Sequence, residues 1–176
     1  MINKLSMAIA SYLKKVDSEN TPSIDVMKYS LYVILHSLFT IICIFIASLL
    51  LGEVAATLAG LVYFILLRIF AGGFHLHSST WCTVLSISLI CLAPFIEFSQ
   101  TWILIINIVA VGILFFYAPR NFKGYARIPE KYYPILKIVA VLIGGSNFYW
   151  QDPTLAAILV LQSILLIPKE KGGEGR

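Results

Sequence analysis

A fifteen-residue stretch near the middle of the chain concentrates side chains that can do chemistry. From Arg68 to Cys82 it reads RIFAGGFHLHSSTWC and holds two glycines, two histidines, three hydroxyl side chains and a cysteine. The whole chain of 176 residues has only three histidines and three cysteines. An imidazole that removes a thiol proton creates the nucleophile that covalent catalysis by cysteine requires. The stretch therefore predicts an activated thiol.

The local sequence places this thiol near the start of a helix. Gly72 and Gly73 end the preceding apolar run, because glycine adopts backbone conformations that are closed to other residues. The hydroxyl side chains that follow can cap the next helix, and they are Ser78, Ser79 and Thr80. Cys82 would then lie in the first turn, where unpaired N–H groups and the helix dipole favour a thiolate.

Spacing alone leaves two candidates for the base. On one continuous helix His75 would lie about 10.5 Å along the axis from Cys82, so a catalytic contact needs a loop that folds back. His77 is nearer in sequence and remains an alternative. The residue that would orient the base is open between Ser78, Asp25 and Glu19. Because a fourth ligand for zinc is not evident beside the two histidines and Cys82, we predict no metal and no cofactor.

Basic residues at the end of the second apolar run and in the connection after the fourth run add candidates for substrate binding. Arg68 could extend from a helix end to the interface, hold a substrate carbonyl or carboxylate, or brace the loop. The connection after residue 117 carries Lys123, Arg127 and Lys131 among aromatic residues and prolines. This connection is either an ordinary basic cytoplasmic loop or a docking site for an acidic peptide segment.

The composition defines the setting of this chemistry. Hydrophobic residues make up 59% of the chain and charged residues only 12%, with a mean hydropathy of +0.88. Soluble domains carry roughly 25% charged residues, so a soluble globular domain and a disordered chain are both excluded. The isoelectric point near 9.0 does not indicate a nucleic-acid partner, because the position of the basic residues has a better explanation in the topology.

We predict an all-α membrane protein with about six transmembrane helices and an N-terminal amphipathic interfacial helix. Residues 1–16 show apolar positions at spacings of three or four, and this helix either lies in the lipid interface or packs on the protein. The predicted organisation is residues 1–30 as helix and linker, 31–167 as the membrane domain, and 168–176 as a disordered tail. The six apolar runs are 31–51, 54–70, 81–98, 102–118, 135–149 and 155–167.

The distribution of charge predicts the orientation. All thirteen basic residues lie before the first run, in the 68–80 connection, in the 119–137 region, or after Pro168. Cytoplasmic loops are enriched in Lys and Arg. With six spans, both termini and the stretch with Cys82 therefore face the cytoplasm of a cell membrane, and the three tight turns face outward.

The run Arg68-x3-Gly72-Gly73-x-His75-x6-Cys82, followed by Tyr117-Ala-Pro119 and basic residues, resembles the accessory gene regulator B family. The resemblance implies a membrane cysteine endopeptidase of a Gram-positive bacterium that processes the precursor of a cyclic autoinducing peptide in quorum sensing. It also implies that His75 and Cys82 are the catalytic pair, that Arg68 and Gly73 occupy required positions, and that His77 is not catalytic. A homodimer is a further expectation from the family.

The implied reaction starts with proton transfer from Cys82 to His75. The thiolate attacks a backbone carbonyl of the precursor, expels an acidic tail and leaves a thioester on the enzyme. A Cys or Ser of the precursor then closes a thiolactone or a lactone. Backbone N–H groups near Cys82 would stabilise the oxyanion.

The alternative function is a membrane peptide transporter without proteolytic activity. Such a protein needs polar or ionisable residues inside its spans. The candidates in the apolar runs are few, and they are Thr40, Asn107 and Gln162. A non-enzymatic membrane scaffold is a third reading, but it leaves the His-Cys stretch without a role.

Overall fold

The computed structural model describes residues 2–74, 79–120 and 128–167, with the side chains of Ser79 and Thr80 left out. Over these ranges the chain is helical and contains no strand. Two short 3₁₀ turns lie at Ala93–Phe95 and Glu130–Tyr132. The helices are α1 (Ile2–Val16), α2 (Ile24–Leu51), α3 (Val54–Ala71), α4 (Ser79–Leu92), α5 (Gln100–Tyr117), α6 (Tyr133–Gly145), α7 (Asn147–Trp150) and α8 (Pro153–Leu166).

Each of the six apolar runs coincides with helix. Among the described residues, α2, α3 and α5 are long and apolar enough to cross a membrane. The segments Trp81–Phe95 and Pro153–Leu166 are apolar but shorter. Large apolar side chains such as Leu50 on α2 and Phe116 on α5 are about four-fifths exposed, as expected for surfaces that face lipid.

Two of the predicted runs are shorter as helices than their hydropathy indicated. The helix of the third run ends at Leu92, and the chain turns through the 3₁₀ segment around Pro94, because proline lacks the N–H that would continue the helix. The fifth run breaks at Ser146, directly after Gly144 and Gly145, and continues as the short α7. Hydropathy therefore placed these elements but overestimated their length.

Contacts divide the chain into two units, residues 1–46 and 47–176. In the first unit, a tight turn follows α1. The ammonium of Lys14 donates to the carbonyls of Ser18 and Thr21 at 2.6 and 2.8 Å. Hydrogen bonds from the backbone and side-chain amides of Asn20 hold the pKa of Asp17 below its ordinary value. The second helix begins directly after Ser23, whose carbonyl accepts from the amide of Met27 at 3.1 Å.

In the second unit, the most extensive packing joins four helices, because α6 and α8 each pack against both α3 and α5. Gly144 allows a close approach of α6 to α5, because a Cβ there would overlap Leu114, whereas a Cβ on Gly60 would only reach ordinary contact with Ile158 at 3.4 Å. The largest fully buried apolar side chains of this unit are Leu67, Ile90, Ile103, Leu114, Ile158, Leu159 and Leu166.

A buried amide network closes the connection between α6 and α8. The Asn147 side chain donates to Asn107 Oδ1 at 3.1 Å and to the carbonyl of Asp152 at 3.2 Å. Its own oxygen accepts from the Asp152 amide at 3.0 Å, and Asn107 donates back to the Asn147 carbonyl at 3.1 Å. Asp152 then caps α8 by accepting from the amide of Leu155 at 2.9 Å. We refer to Asn107, Asn147 and Asp152 as the turn network.

Candidate functional site

The candidate nucleophile lies in the first turn of α4. This helix begins at Ser79, so Cys82 is its fourth residue, and its thiol is free and half-buried. Cys91 lies near the end of the same helix and is buried, on the opposite face from Cys82 because nine residues turn an α-helix by about 180°. Of the free thiols on α4, Cys82 is therefore the one open to a reaction partner.

The backbone that precedes this helix is held in conformations that need glycine. At the end of α3, Gly72 has φ 73° and Gly73 has φ 127°. A side chain at Gly73 would also overlap the Arg68 guanidinium and approach the Leu165 carbonyl to 3.1 Å. Both the positive φ and the crowding therefore explain the glycine at position 73.

The Arg68 side chain turns back onto the end of its own helix. Its guanidinium donates to the carbonyl of Gly72 at 3.3 Å and to the carbonyl of Phe74. Of the three roles that the sequence left open for Arg68, these bonds match the bracing of the loop. A planar guanidinium suits this task, because it can present several donors to two acceptors in fixed directions.

Main-chain and side-chain groups from α8 and from the chain that leaves α5 complete the support. The amide of Gly73 donates to the carbonyl of Arg120 at 3.1 Å, and the Arg120 amide donates to the carbonyl of Ala71 at 3.0 Å. The amide of Phe74 donates to the carbonyl of Leu165 at 2.7 Å. The side-chain amide of Gln162 donates to the Gly72 carbonyl at 2.8 Å.

These bonds bring together the C-terminal ends of α3 and α8 and the chain that leaves α5. We call residues 72–74 with their partners Arg68, Arg120, Gln162 and Leu165 the loop clamp. The clamp fixes the three residues that come directly before His75 in the sequence. A segment with so many backbone partners has little conformational freedom.

Several predicted site residues lie outside the described part of the chain. These are His75, His77, Ser78, Lys123 and Arg127, together with the tail 168–176 and the side chain of Ser79. Among the predicted residues that the structure describes, Arg68 and Gly73 meet in the clamp. Lys131 is exposed in the turn before α6, with its ammonium 5.0 Å from the centre of the Tyr132 ring.

The polar residues assigned to a transport path make hydrogen bonds within the protein. Thr40 donates to the carbonyl of His36 at 2.9 Å, one turn earlier on α2. Asn107 belongs to the turn network and Gln162 to the loop clamp. The sequence suggested no link between Gln162 and the glycines, although a lone amide in an otherwise apolar helix marks a buried polar contact.

Comparison with known proteins gives consistent results. The family model described as Accessory gene regulator B matches residues 2–166. A protein of Halalkalibacterium halodurans described as AgrB-like is 32% identical over 174 residues, covering 96% of this chain and 88% of the relative. The Accessory gene regulator protein B of Staphylococcus aureus strain MW2 is 24% identical over 178 residues, covering 94% of each chain. No solved structure matches.

Proposed function

The chain belongs to the accessory gene regulator B family, and from this premise we propose that it is an integral-membrane cysteine endopeptidase. Its substrate would be the precursor of a cyclic autoinducing peptide of quorum sensing. Cys82 would be the nucleophile and His75 the general base. The observation that carries the proposal is a free, half-buried thiol in the first turn of α4, preceded by a clamped double-glycine loop, in a chain of this family.

The reaction would run in two acyl transfers. His75 takes the thiol proton of Cys82, and the thiolate attacks a backbone carbonyl of the precursor. His75 returns the proton to the departing amine of the C-terminal tail, which leaves the rest of the precursor as a thioester on Cys82. A Cys or Ser of the precursor then gives its proton to His75 and attacks this thioester. The product is a thiolactone or lactone, and Cys82 is released.

The surroundings of Cys82 favour this chemistry. The dipole at a helix start stabilises negative charge on a nearby sulfur, and backbone N–H groups near Cys82 would stabilise a tetrahedral oxyanion. Because exchange of a thioester for a thioester is nearly balanced in energy whereas hydrolysis is strongly favourable, ring closure requires exclusion of water. A site beside apolar helices suits that requirement.

The setting that we propose follows the predicted topology. Six spans would place both termini and Cys82 on the cytoplasmic side of a bacterial cell membrane. The precursor would carry an amphipathic helix and an acidic tail, and it would meet the enzyme at the lipid surface. Ser78, Ser79, Lys123, Arg127 and Lys131 remain candidates for contacts with the precursor, and the enzyme would act as a homodimer.

Co-expression with the precursor tests the nucleophile and the base. The precursor would be encoded by a short open reading frame beside the gene, and it is expressed with a C-terminal tag. We expect Cys82→Ala and His75→Ala to abolish release of the tag while the protein still reaches the membrane. Cys91→Ala and His36→Ala are the matched controls, since Cys91 is buried on the far face of α4 and the His36 ring stacks on Tyr32 at 5.6 Å. Both controls should release the tag normally.

Two results would contradict the proposal. Release of the tag by Cys82→Ala would remove the nucleophile assignment. Passage of an uncleaved peptide across reconstituted proteoliposomes, unchanged by Cys82→Ser, would favour the transporter instead.

A further inference from the structure

The carbonyl of Gly72 is the most heavily bonded acceptor of the loop clamp. Two side chains donate to it, the Gln162 amide at 2.8 Å and the Arg68 guanidinium at 3.3 Å. Gln162 comes from the last turns of α8, and the carbonyl of Leu165 on the same helix accepts from the amide of Phe74 at 2.7 Å. The end of α8 therefore holds the backbone on both sides of Gly73.

Stability alone does not explain a glutamine at this position. Gln162 is fully buried on an apolar helix, and its Oε1 accepts no hydrogen bond from the described part of the chain. The desolvation of a buried acceptor without a partner costs about as much as one hydrogen bond returns. A leucine or methionine would leave no such orphan oxygen. What the glutamine supplies beyond an apolar residue is the bond to Gly72.

We propose that Gln162 is a positioning residue for the catalytic base. By holding the Gly72 carbonyl, it sets the peptide between Gly72 and Gly73, from which the chain continues through Phe74 to His75. This inference rests on the proposed function, because it assigns Gln162 a role only if His75 acts on Cys82. Small displacements of a catalytic group have large kinetic effects, so loss of this bond should lower turnover without removing the groups that react.

The reactivity of Cys82 can be measured without any substrate. In a Cys43→Ala, Cys91→Ala background, the rate of alkylation by iodoacetamide is followed against pH in detergent micelles. His75→Ala should move the half-maximal rate to higher pH, since it removes the imidazole that favours the thiolate. Gln162→Met keeps the side-chain length but has no hydrogen-bond donor. It should also move the half-maximal alkylation rate to higher pH, but by less than His75→Ala does.

A neighbouring buried residue provides the matched control. Ser163 is also buried, but its hydroxyl donates to the Leu159 carbonyl of its own helix at 2.8 Å and has no part in the clamp. Ser163→Ala should leave the alkylation profile unchanged. If Gln162→Met does not fold, Gln162→Asn retains an amide that is one methylene too short for Gly72 and should show the same shift.

Cleavage kinetics and melting provide the second readout. With the tagged precursor, Gln162→Met should lower kcat about 10-fold to 100-fold with KM nearly unchanged, while the melting temperature stays close to that of Ser163→Ala. An unchanged alkylation profile and kcat in Gln162→Met, beside a shifted profile in His75→Ala, would overturn the positioning role alone. An unshifted profile in His75→Ala would overturn the proposed pairing itself, and the role of Gln162 with it.

Discussion

The turn network and the loop clamp are two buried polar clusters in one apolar bundle, and they differ in what their hydrogen bonds achieve. In the turn network the Asn147 side-chain nitrogen donates to Asn107 Oδ1 and to the Asp152 carbonyl, and its side-chain oxygen accepts from the Asp152 amide. In the loop clamp, by contrast, only the nitrogen of the Gln162 side chain is hydrogen-bonded within residues 2–74, 79–120 and 128–167, and two glycines adopt positive φ. The turn network therefore provides hydrogen-bond partners for the Asn147 side chain. The loop clamp restricts the backbone at Gly72 and Gly73 and leaves Gln162 Oε1 without a partner among the described residues.

This difference separates two uses of polar residues inside an apolar bundle. A satisfied amide network ties helices together and contributes to stability. A cluster that retains an orphan acceptor and needs glycine at two positions carries a cost, and such costs are found where a structure must hold a reactive group. We therefore expect substitutions in the turn network to change stability, and substitutions in the clamp to change activity.

The largest effect is expected from Gly73→Ala. The added methyl meets Arg68 and the Leu165 carbonyl and requires φ 127°, which an alanine does not adopt without strain. The loop must shift, so precursor cleavage per folded molecule should fall about 100-fold or more. Gly52 also has positive φ but nothing within 4 Å of its Cβ position, so Gly52→Ala should lower the melting temperature without lowering cleavage. Equal cleavage by the two variants would contradict the role in activity that is assigned to the loop clamp.

The next largest effect is expected from Asn147→Ala. It removes three side-chain hydrogen bonds and leaves Asn107 Oδ1 and the Asp152 amide without these partners. The free energy of unfolding should fall by about 2 kcal/mol, measured by thermal or denaturant unfolding in micelles. Ser146→Ala, which loses a partly buried hydroxyl bond to the Ile143 carbonyl and a side-chain hydrogen bond with Tyr63, is the control and should cost less. A loss of turnover in the folded Asn147→Ala protein would contradict the assignment of this cluster to stability.

A moderate effect on activity is expected from Arg68→Lys. One ammonium cannot reproduce the planar fork that joins the carbonyls of Gly72 and Phe74. Turnover of the precursor should fall about 10-fold. The melting temperature should change less in Arg68→Lys than in Asn147→Ala. A larger change in Arg68→Lys would indicate that Arg68 acts mainly on stability, which would contradict the comparison.

The smallest effect is expected from Asp152→Ala, which removes the cap of α8. The carboxylate accepts from the amide of Leu155 at 2.9 Å, and such caps contribute about 1 kcal/mol. Asp152→Asn retains an acceptor at this position and should lose less. Cleavage of the precursor by both variants should match the unsubstituted protein once the amount of folded protein is equal.

The apolar runs, and the short polar or glycine-containing breaks between them, predicted much of the fold. The runs 54–70 and 102–118 coincide with α3 and α5, because uninterrupted apolar residues have no other stable arrangement in lipid. The residues at which the helices end were less predictable. The run 81–98 was predicted as one span, but its helix ends at Leu92, two residues before Pro94, since hydropathy reports burial in apolar surroundings and not the hydrogen bonds that continue a helix.

The sequence predicts candidate members of the site, but it gives no information on their arrangement. Composition and spacing singled out Arg68, Gly73 and Cys82, and the family match confirms the resemblance on which their roles were predicted. The contacts of Gln162 and Leu165 with the loop could not be predicted, because they join residues about 90 positions apart and depend on how α8 packs beside α3. The pattern of residues in a single sequence shows which side of a helix is apolar. It does not show which helix ends lie next to each other in the folded protein.

The central claim is a covalent bond between Cys82 and the precursor, and intact-mass spectrometry tests it most directly. The purified protein in micelles is mixed with the precursor, quenched in acid and compared with the Cys82→Ala and Cys91→Ala proteins. We predict a mass increase equal to the precursor without its tail, mapped to the peptide that contains Cys82, released by hydroxylamine and absent only in Cys82→Ala. Release of the tail with no adduct on Cys82, or an adduct that persists in Cys82→Ala, would contradict the account.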